Sequence, residues 1–261
     1  MARPTIAFLT DFGTRDHYVG AMKGAALTVC PDATLVDITH DIDPQDVLGG
    51  ALELAAAFPY FPRGTVFVAV VDPGVGSARR GIAAAAAGYF FVAPDNGLLT
   101  LPLRRPGTQV VSLTNSCYAR DVVSRTFEGR DRFAPAAAWL ARGTSLQELG
   151  EAVRDPVLIG IPEPRVDSDV LRGEVLRADR FGNLITNIDR ATLDGFAAGG
   201  RVHTAVGSRV DIPLVGTYAE SHGDLCALIG SSGWLEIAVG GGSAEALLAA
   251  ARGAPVVVRR G

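Results

Sequence analysis

Through the first 160 residues, short apolar runs alternate with stretches in which apolar residues recur every three or four positions. Thr5–Thr10, Leu35–Ile38 and Thr65–Val71 are compact and rich in β-branched or aromatic residues, which predicts buried strands. Between them, Asp16–Val29 sets Val19, Met22, Ala26 and Val29 on one helical face, and Pro31 closes it. Pro44–Phe58 does the same with Val47, Ala51, Leu54 and Phe58, its proline near the first turn. Ile82–Ala87 and Tyr89–Ala93 predict two more strands about Gly88, and Arg130–Arg142 predicts a helix with Phe133, Ala137 and Leu140 inward. Strands alternating with helices predict an α/β domain with a mostly parallel central sheet.

The pattern changes across Ile159–Asp169, where Pro162, Pro164 and three acidic residues interrupt it. Residues 161–169 are therefore expected to link a first domain, 1–160, to a second, 170–261. In the second, strand-like runs are short and closely spaced: Gly173–Arg177, Leu184–Asn187, Arg201–Ala205, Val210–Pro213, Leu225–Ile229, Trp234–Val239 and Ala254–Arg259. With turn residues between them and one late helix near Ser243–Ala250, they predict a small antiparallel barrel or sandwich.

Composition narrows the function classes. With 48% hydrophobic and 20% charged residues the chain is not disordered, and 24 basic against 28 acidic residues give a net charge of −4, which argues against a nucleic-acid or membrane-surface binder. Lys23 is the only lysine. The longest uncharged stretch, Gly81–Pro94, falls short of the ~18 residues a membrane span needs. Met1–Phe8 lacks the layout of a signal peptide, so a cytoplasmic location is expected. Cys30, Cys117 and Cys226 are widely separated and are expected to be reduced thiols; His17, His40, His203 and His222 show no paired metal-ligand spacing, so no catalytic metal is expected. Neither a GxGxxG fingerprint, a GxxxxGK[ST] phosphate loop nor a GxSxG elbow occurs, which argues against nicotinamide, nucleoside-triphosphate and serine-hydrolase chemistry.

Four polar-glycine clusters fall at the ends of predicted strands, where open α/β sheets place ligands. They are Thr10-Asp11-Phe12-Gly13, Asp72-Pro73-Gly74-Val75-Gly76-Ser77, Pro94-Asp95-Asn96-Gly97 and Asp179-Arg180-Phe181-Gly182-Asn183. Taken singly, each also reads as an ordinary turn. Together with Tyr18-Val19-Gly20-Ala21-Met22-Lys23-Gly24, Gly129-Arg130-Asp131 and Ser231-Ser232-Gly233-Trp234-Leu235-Glu236-Ile237-Ala238, the series resembles the S-adenosyl-L-methionine (SAM) hydroxide adenosyltransferases. These are the SAM hydrolases, relatives of fluorinase and chlorinase.

The resemblance implies an N-terminal α/β domain joined to a C-terminal β-barrel, and a homotrimer with sites shared between subunits. It implies that water displaces methionine from the ribose 5′ carbon of SAM, giving adenosine and L-methionine, with SAM as substrate and no cofactor. Of the family's Asp-Arg-His catalytic set, Asp72 and Arg79 match. Where relatives read Phe-His-Gly-Arg-Asp, this chain reads Phe127-Glu128-Gly129-Arg130-Asp131. Glu128 leaves open pairing with Arg79, a role as base, or a non-catalytic SAM-binding homologue. For substrate binding the resemblance implies Asp11 on the ribose hydroxyls, Asp179 near the methionine ammonium, Asn183 on the adenine edge, Phe181 and Tyr218 flanking adenine, and Ser231 on the methionine carboxylate. Ser232 stands where fluorinase has arginine. A SAM-dependent halogenase is the alternative within the superfamily, against which Asp72 counts, because a carboxylate would repel halide.

Overall fold

Strand β1 (Thr5–Thr10) and strand β3 (Val66–Val70) are buried on both faces, the property of central strands covered by helices on each side. A computed structural model describes residues 3–261, which divide into two compact units, one ending at Gly160 and the other beginning at Ile161. In the first unit, β2 (Thr34–Thr39), β4 (Gly81–Ala86), β5 (Tyr89–Pro94) and β6 (Gln109–Ser112) complete a six-stranded sheet of order β2-β1-β3-β5-β4-β6. The pairings from β2 through β5 are parallel; β4 is antiparallel to both β5 and β6. The sheet is thus mixed at the edge that includes the β4–β5 hairpin.

Alternation divides the core. Ile6, Phe8, Val66, Val68 and Val70 face helix α1 (Tyr18–Val29) and helix α4 (Ala134–Ala141), while Ala7, Leu9, Phe67, Ala69 and Phe91 lie on the other face with α2 (Val47–Ala57) and the single turn α3 (Thr100–Leu103). Full burial of Phe8, Phe67, Phe91 and Phe133 contributes about 2–3 kcal/mol for each side chain.

Helix α1 begins at Tyr18, two residues after the expected Asp16, and two further helix starts differ from the sequence reading for local reasons. Helix α2 begins at Val47 because Asp46 caps it, its side chain accepting from the Gly49 N–H at 3.0 Å; Pro44 stays outside the helix, and Gln45 takes a left-handed backbone (φ +68°). Ahead of α4, Gly129–Phe133 is a π-helical turn in which the Ala134 N–H reaches back to the Gly129 carbonyl. Pro135 has no N–H for the Asp131 carbonyl, and that carbonyl instead accepts from Arg120 N–H at 2.8 Å. The displaced bond ties the 120s loop to the helix.

In the second unit, β8 (Val170–Ala178), β9 (Leu184–Asp189), β10 (Val202–Val206), β11 (Arg209–Pro213), β12 (Leu225–Ile229), β13 (Trp234–Val239) and β14 (Pro255–Arg260) follow the order β11-β10-β14-β8-β9-β13-β12. All these pairings are antiparallel. Just past β11, Leu214 bridges Ala227 of β12, so the sheet curls into a nearly closed barrel around Leu171, Val175, Ile188, Val258 and Ile237. Residues 165–167, within the stretch expected to be a linker, form β7 (Arg165–Asp167) against β8. Helix α5 (Arg190–Ala197), capped by Asp189, was hidden in sequence by its short length and by Gly195; α6 (Ala244–Leu248) is capped by Ser243. Among the described residues no helix is long and apolar enough to cross a membrane.

Candidate active site

In the first unit the polar-glycine clusters converge at the carboxyl ends of β1 and β3, which are paired with Thr10 opposite Val70. The loop after β3 carries Asp72 and, seven residues on, Arg79. Arg79 Nε donates to Asp72 Oδ1 at 2.9 Å and its Nη2 to Oδ2, a two-point clamp set by the planar guanidinium. The same guanidinium meets Glu128: Nη1 lies 2.7 Å from Glu128 Oε2. That oxygen is buried with no partner beyond Arg79, and Glu128 Oε1 lies 3.8 Å from Arg132 Nη2. The side chains of Asp72, Arg79 and Glu128 are only 5%, 10% and 14% exposed. Burial alone would pull the Arg79 pKa down, but Asp72 and then Glu128 outweigh it and raise it above the usual value. Arg79 is a permanent cation between two carboxylates.

The surrounding motifs hold this cluster. Asn96 Nδ2 donates to the Val71 carbonyl at 2.8 Å, fixing the backbone beside Asp72. Asp95 accepts from Arg80 Nε and from the Val157 N–H, so the carboxylate of Pro94-Asp95-Asn96-Gly97 is structural. Gly76 (φ +77°) permits close approach of the loop carrying Glu128: a Cβ there would stand 2.6 Å from the Arg125 carbonyl. Phe12, Tyr18 and Phe127 pack edge to face, with centroids 5.2–6.1 Å apart, and the Arg130 guanidinium covers Phe127. Asp11, at the end of β1, accepts from the Gln45 N–H at 2.8 Å.

The remaining sequence candidates lie in the second unit. Asp179–Asn183 is the tight loop between β8 and β9, and the Asp179 carboxylate organises it by accepting from Phe181 N, Asn183 N and Asn183 Nδ2, each at 2.9 Å. Phe181 is thereby held 76% exposed. The Tyr218 hydroxyl donates to Glu236 Oε2 at 2.8 Å, and Ser231 is exposed in the turn between β12 and β13. Glu236, on β13, received no role from the sequence. Its signal was a lone carboxylate inside the apolar run Trp234–Val239. Burial pushes its pKa up, as does the nearby Asp179 charge, while the Tyr218 hydrogen bond and Arg177 pull it down; the net shift is upward. Among the described residues no group of three or more His, Cys, Asp or Glu side chains is arranged to hold a metal.

A family model described as the SAM hydroxide adenosyltransferase N-terminal domain matches residues 6–150, and the model of that family's C-terminal domain matches residues 173–257. The chain belongs to the SAM hydroxide adenosyltransferase family. Within this family, a (R)-S-adenosyl-L-methionine hydrolase from Salinispora tropica is 40% identical over 250 residues, 94% of each chain. A fluorinase from Actinoplanes sp. is more distant, 34% identical over 269 residues and 90% of each chain. A crystal structure of an uncharacterized conserved protein from Thermotoga maritima superposes on this chain with a TM-score of 0.93 at 34% identity, covering 98% of this chain and 100% of the other.

Proposed function

We propose that the protein hydrolyses SAM to adenosine and L-methionine, with SAM as its substrate and no cofactor. The observation that carries this reading is the buried Asp72–Arg79–Glu128 cluster, in which one carboxylate oxygen, Glu128 Oε2, has no partner beyond its ion pair with Arg79. Water attacks the ribose 5′ carbon in line with the carbon–sulfur bond, the bonding pair leaves with sulfur as a neutral thioether, and the water proton passes to a carboxylate. No acid is needed for such a leaving group; the site must orient the water and stabilise its developing hydroxide character. Both Asp72 oxygens are bound by Arg79, which commits that carboxylate to positioning. Glu128 is therefore assigned as the acceptor, standing where relatives carry histidine, with Asp72 and Arg79 orienting it.

The carboxylates of this cluster, Asp72 and Glu128, favour the sulfonium and disfavour halide. Asp11 accepts from the two ribose hydroxyls. In the barrel, Phe181 and Tyr218 flank adenine. Asn183 spends Nδ2 on Asp179, so it offers Oδ1 to the adenine amino group. Asp179 supplies negative charge for the methionine ammonium, and Ser231 hydrogen-bonds the methionine carboxylate. The barrel residues complete the site of a neighbouring copy in a cytoplasmic homotrimer, a reading supported by the exposure of Phe181.

Incubation with SAM in the presence of chloride or fluoride, followed by chromatography, tests the reaction. Adenosine and methionine in equal amounts are expected. A dominant 5′-halogenated nucleoside, or saturable SAM binding without methionine release over hours, would overturn it. Light scattering tests the assembly: a fully active monomer contradicts the shared site.

A further inference from the structure

We propose that Thr10, His40, Asp37 and Lys23 form a positioning relay that fixes how Asp11 meets the ribose hydroxyls; this rests on the role given to Asp11 above. Lys23 Nζ, on α1, lies 2.6 Å from Asp37 Oδ2; Asp37 Oδ1 lies 2.9 Å from His40 Nε2; and His40 Nδ1 lies 2.8 Å from Thr10 Oγ1. The chain continues into the candidate site, where the Phe12 N–H donates to Thr10 Oγ1 at 3.2 Å and the Gly13 N–H donates to the His40 carbonyl at 2.8 Å. Asp11 is the residue between Thr10 and Phe12, held from both sides.

Donors and acceptors match at every link. Asp37 is acceptor only, so His40 Nε2 presents a ring N–H to it; His40 Nδ1 meets the Thr10 hydroxyl, whose oxygen also accepts from the Phe12 N–H. Lys23 anchors the far end as a compact point donor, where the forked guanidinium used at the other basic positions would fit the same short contact poorly. Strand geometry makes the relay possible. Residues three apart on a regular strand face opposite sides, but the β1–β2 ladder slips, Phe8 pairing with Asp37 and Leu9 with Thr39, and Asp37 and His40 meet. His40 is 5% exposed, so losing a partner leaves a polar nitrogen stranded in the interior.

Thr10→Val keeps the shape and removes the hydroxyl; Thr10→Ser restores the hydroxyl. Affinity for adenosine and for 2′,3′-dideoxyadenosine is measured by calorimetry, beside kcat and KM for SAM. Thr10→Val is expected to weaken adenosine binding and raise KM about 10-fold or more, as when a ribose hydroxyl loses its hydrogen bond to the Asp11 carboxylate, with kcat within about threefold by that reasoning. Thr10→Ser and wild type should agree, Lys23→Met should shift the same way, and dideoxyadenosine should bind wild type and Thr10→Val alike. Equal weakening of both nucleosides, an unchanged adenosine affinity, or no adenosine binding by wild type overturns the relay. If Thr10→Val does not fold, Lys23→Met decides by the same comparison. Wild type that binds adenosine but leaves SAM intact instead refutes the hydrolase reading, while the binding comparison still judges the relay.

Discussion

Glu128→Gln is the sharpest perturbation of the proposed chemistry, because it keeps the side-chain shape and removes one charge. At 2.7 Å the gross attraction between Glu128 and Arg79 is about 6 kcal/mol for an effective dielectric constant of about 20, and desolvation of two buried ions offsets most of it. Arg79 keeps both bonds to Asp72 in the variant, so the guanidinium is not left unpaired. The stability cost should then fall below the ~3–5 kcal/mol of breaking an isolated buried pair, at about 1–2 kcal/mol. The catalytic cost is larger. With Glu128 neutral, the remaining Asp72 carboxylate has both oxygens tied to Arg79, and removal of a general base costs about 10²–10⁴ in rate. We expect kcat to fall at least ~100-fold, about 2.7 kcal/mol of barrier, with KM within about threefold, since the loss is confined to the transition state. Glu128→His should retain activity. Single-turnover release of methionine, followed by rapid quench, checks the chemical step. If Glu128→Gln turns over within threefold of wild type while Asp72→Asn is inactive, Glu128 is a bystander and Asp72 is the base.

Phe181→Ala should raise KM for SAM by roughly 10-fold, within the ~1–3 kcal/mol that aromatic stacking on a base supplies, while leaving thermal stability unchanged because the ring is mostly exposed; a lowered melting temperature would make Phe181 a packing residue. For Asp131, burial pushes the carboxyl up, but Arg130, the Ser124 N–H and the Arg120 charge outweigh it and hold it below the usual range. Its stabilisation is therefore present above the unfolded pKa and is lost as pH falls through the folded one. Asp131→Asn should cost about 3 kcal/mol near neutral pH, and urea titrations should show the gap closing below about pH 4. Glu236 carries the opposite sign: its raised folded pKa means stability falls as pH rises from the unfolded value through the folded one. Glu236→Gln should gain stability relative to wild type across that rise and match it below about pH 4; a constant difference at all pH values would show that Glu236 does not titrate on folding.

Local sequence determined most of the elements, because burial on both faces leaves continuous apolar runs such as Thr65–Val71, and one-sided burial leaves helical spacing such as Val19, Met22 and Ala26. The motif series reached the residues of the candidate site for a related reason: tight turns and charge clamps need particular residue types at fixed short spacings, as with Asp72 and Arg79 or Asp179 and Asn183. Tertiary structure decided what spacing cannot encode. Glu128 lies 49 residues beyond Arg79 in the chain, and only packing of the π-helical turn against the loop after β3 brings the two together. The start of α2 moved because Asp46 competes for the cap, and the π turn formed because Pro135 denies Asp131 a helical partner; both are local bonds chosen in three dimensions. Glu236 passed unnoticed because its partner Tyr218 sits on a different element. The links from Lys23 to Thr10 join a helix, two strands and a slipped ladder, so no single segment of sequence contains them.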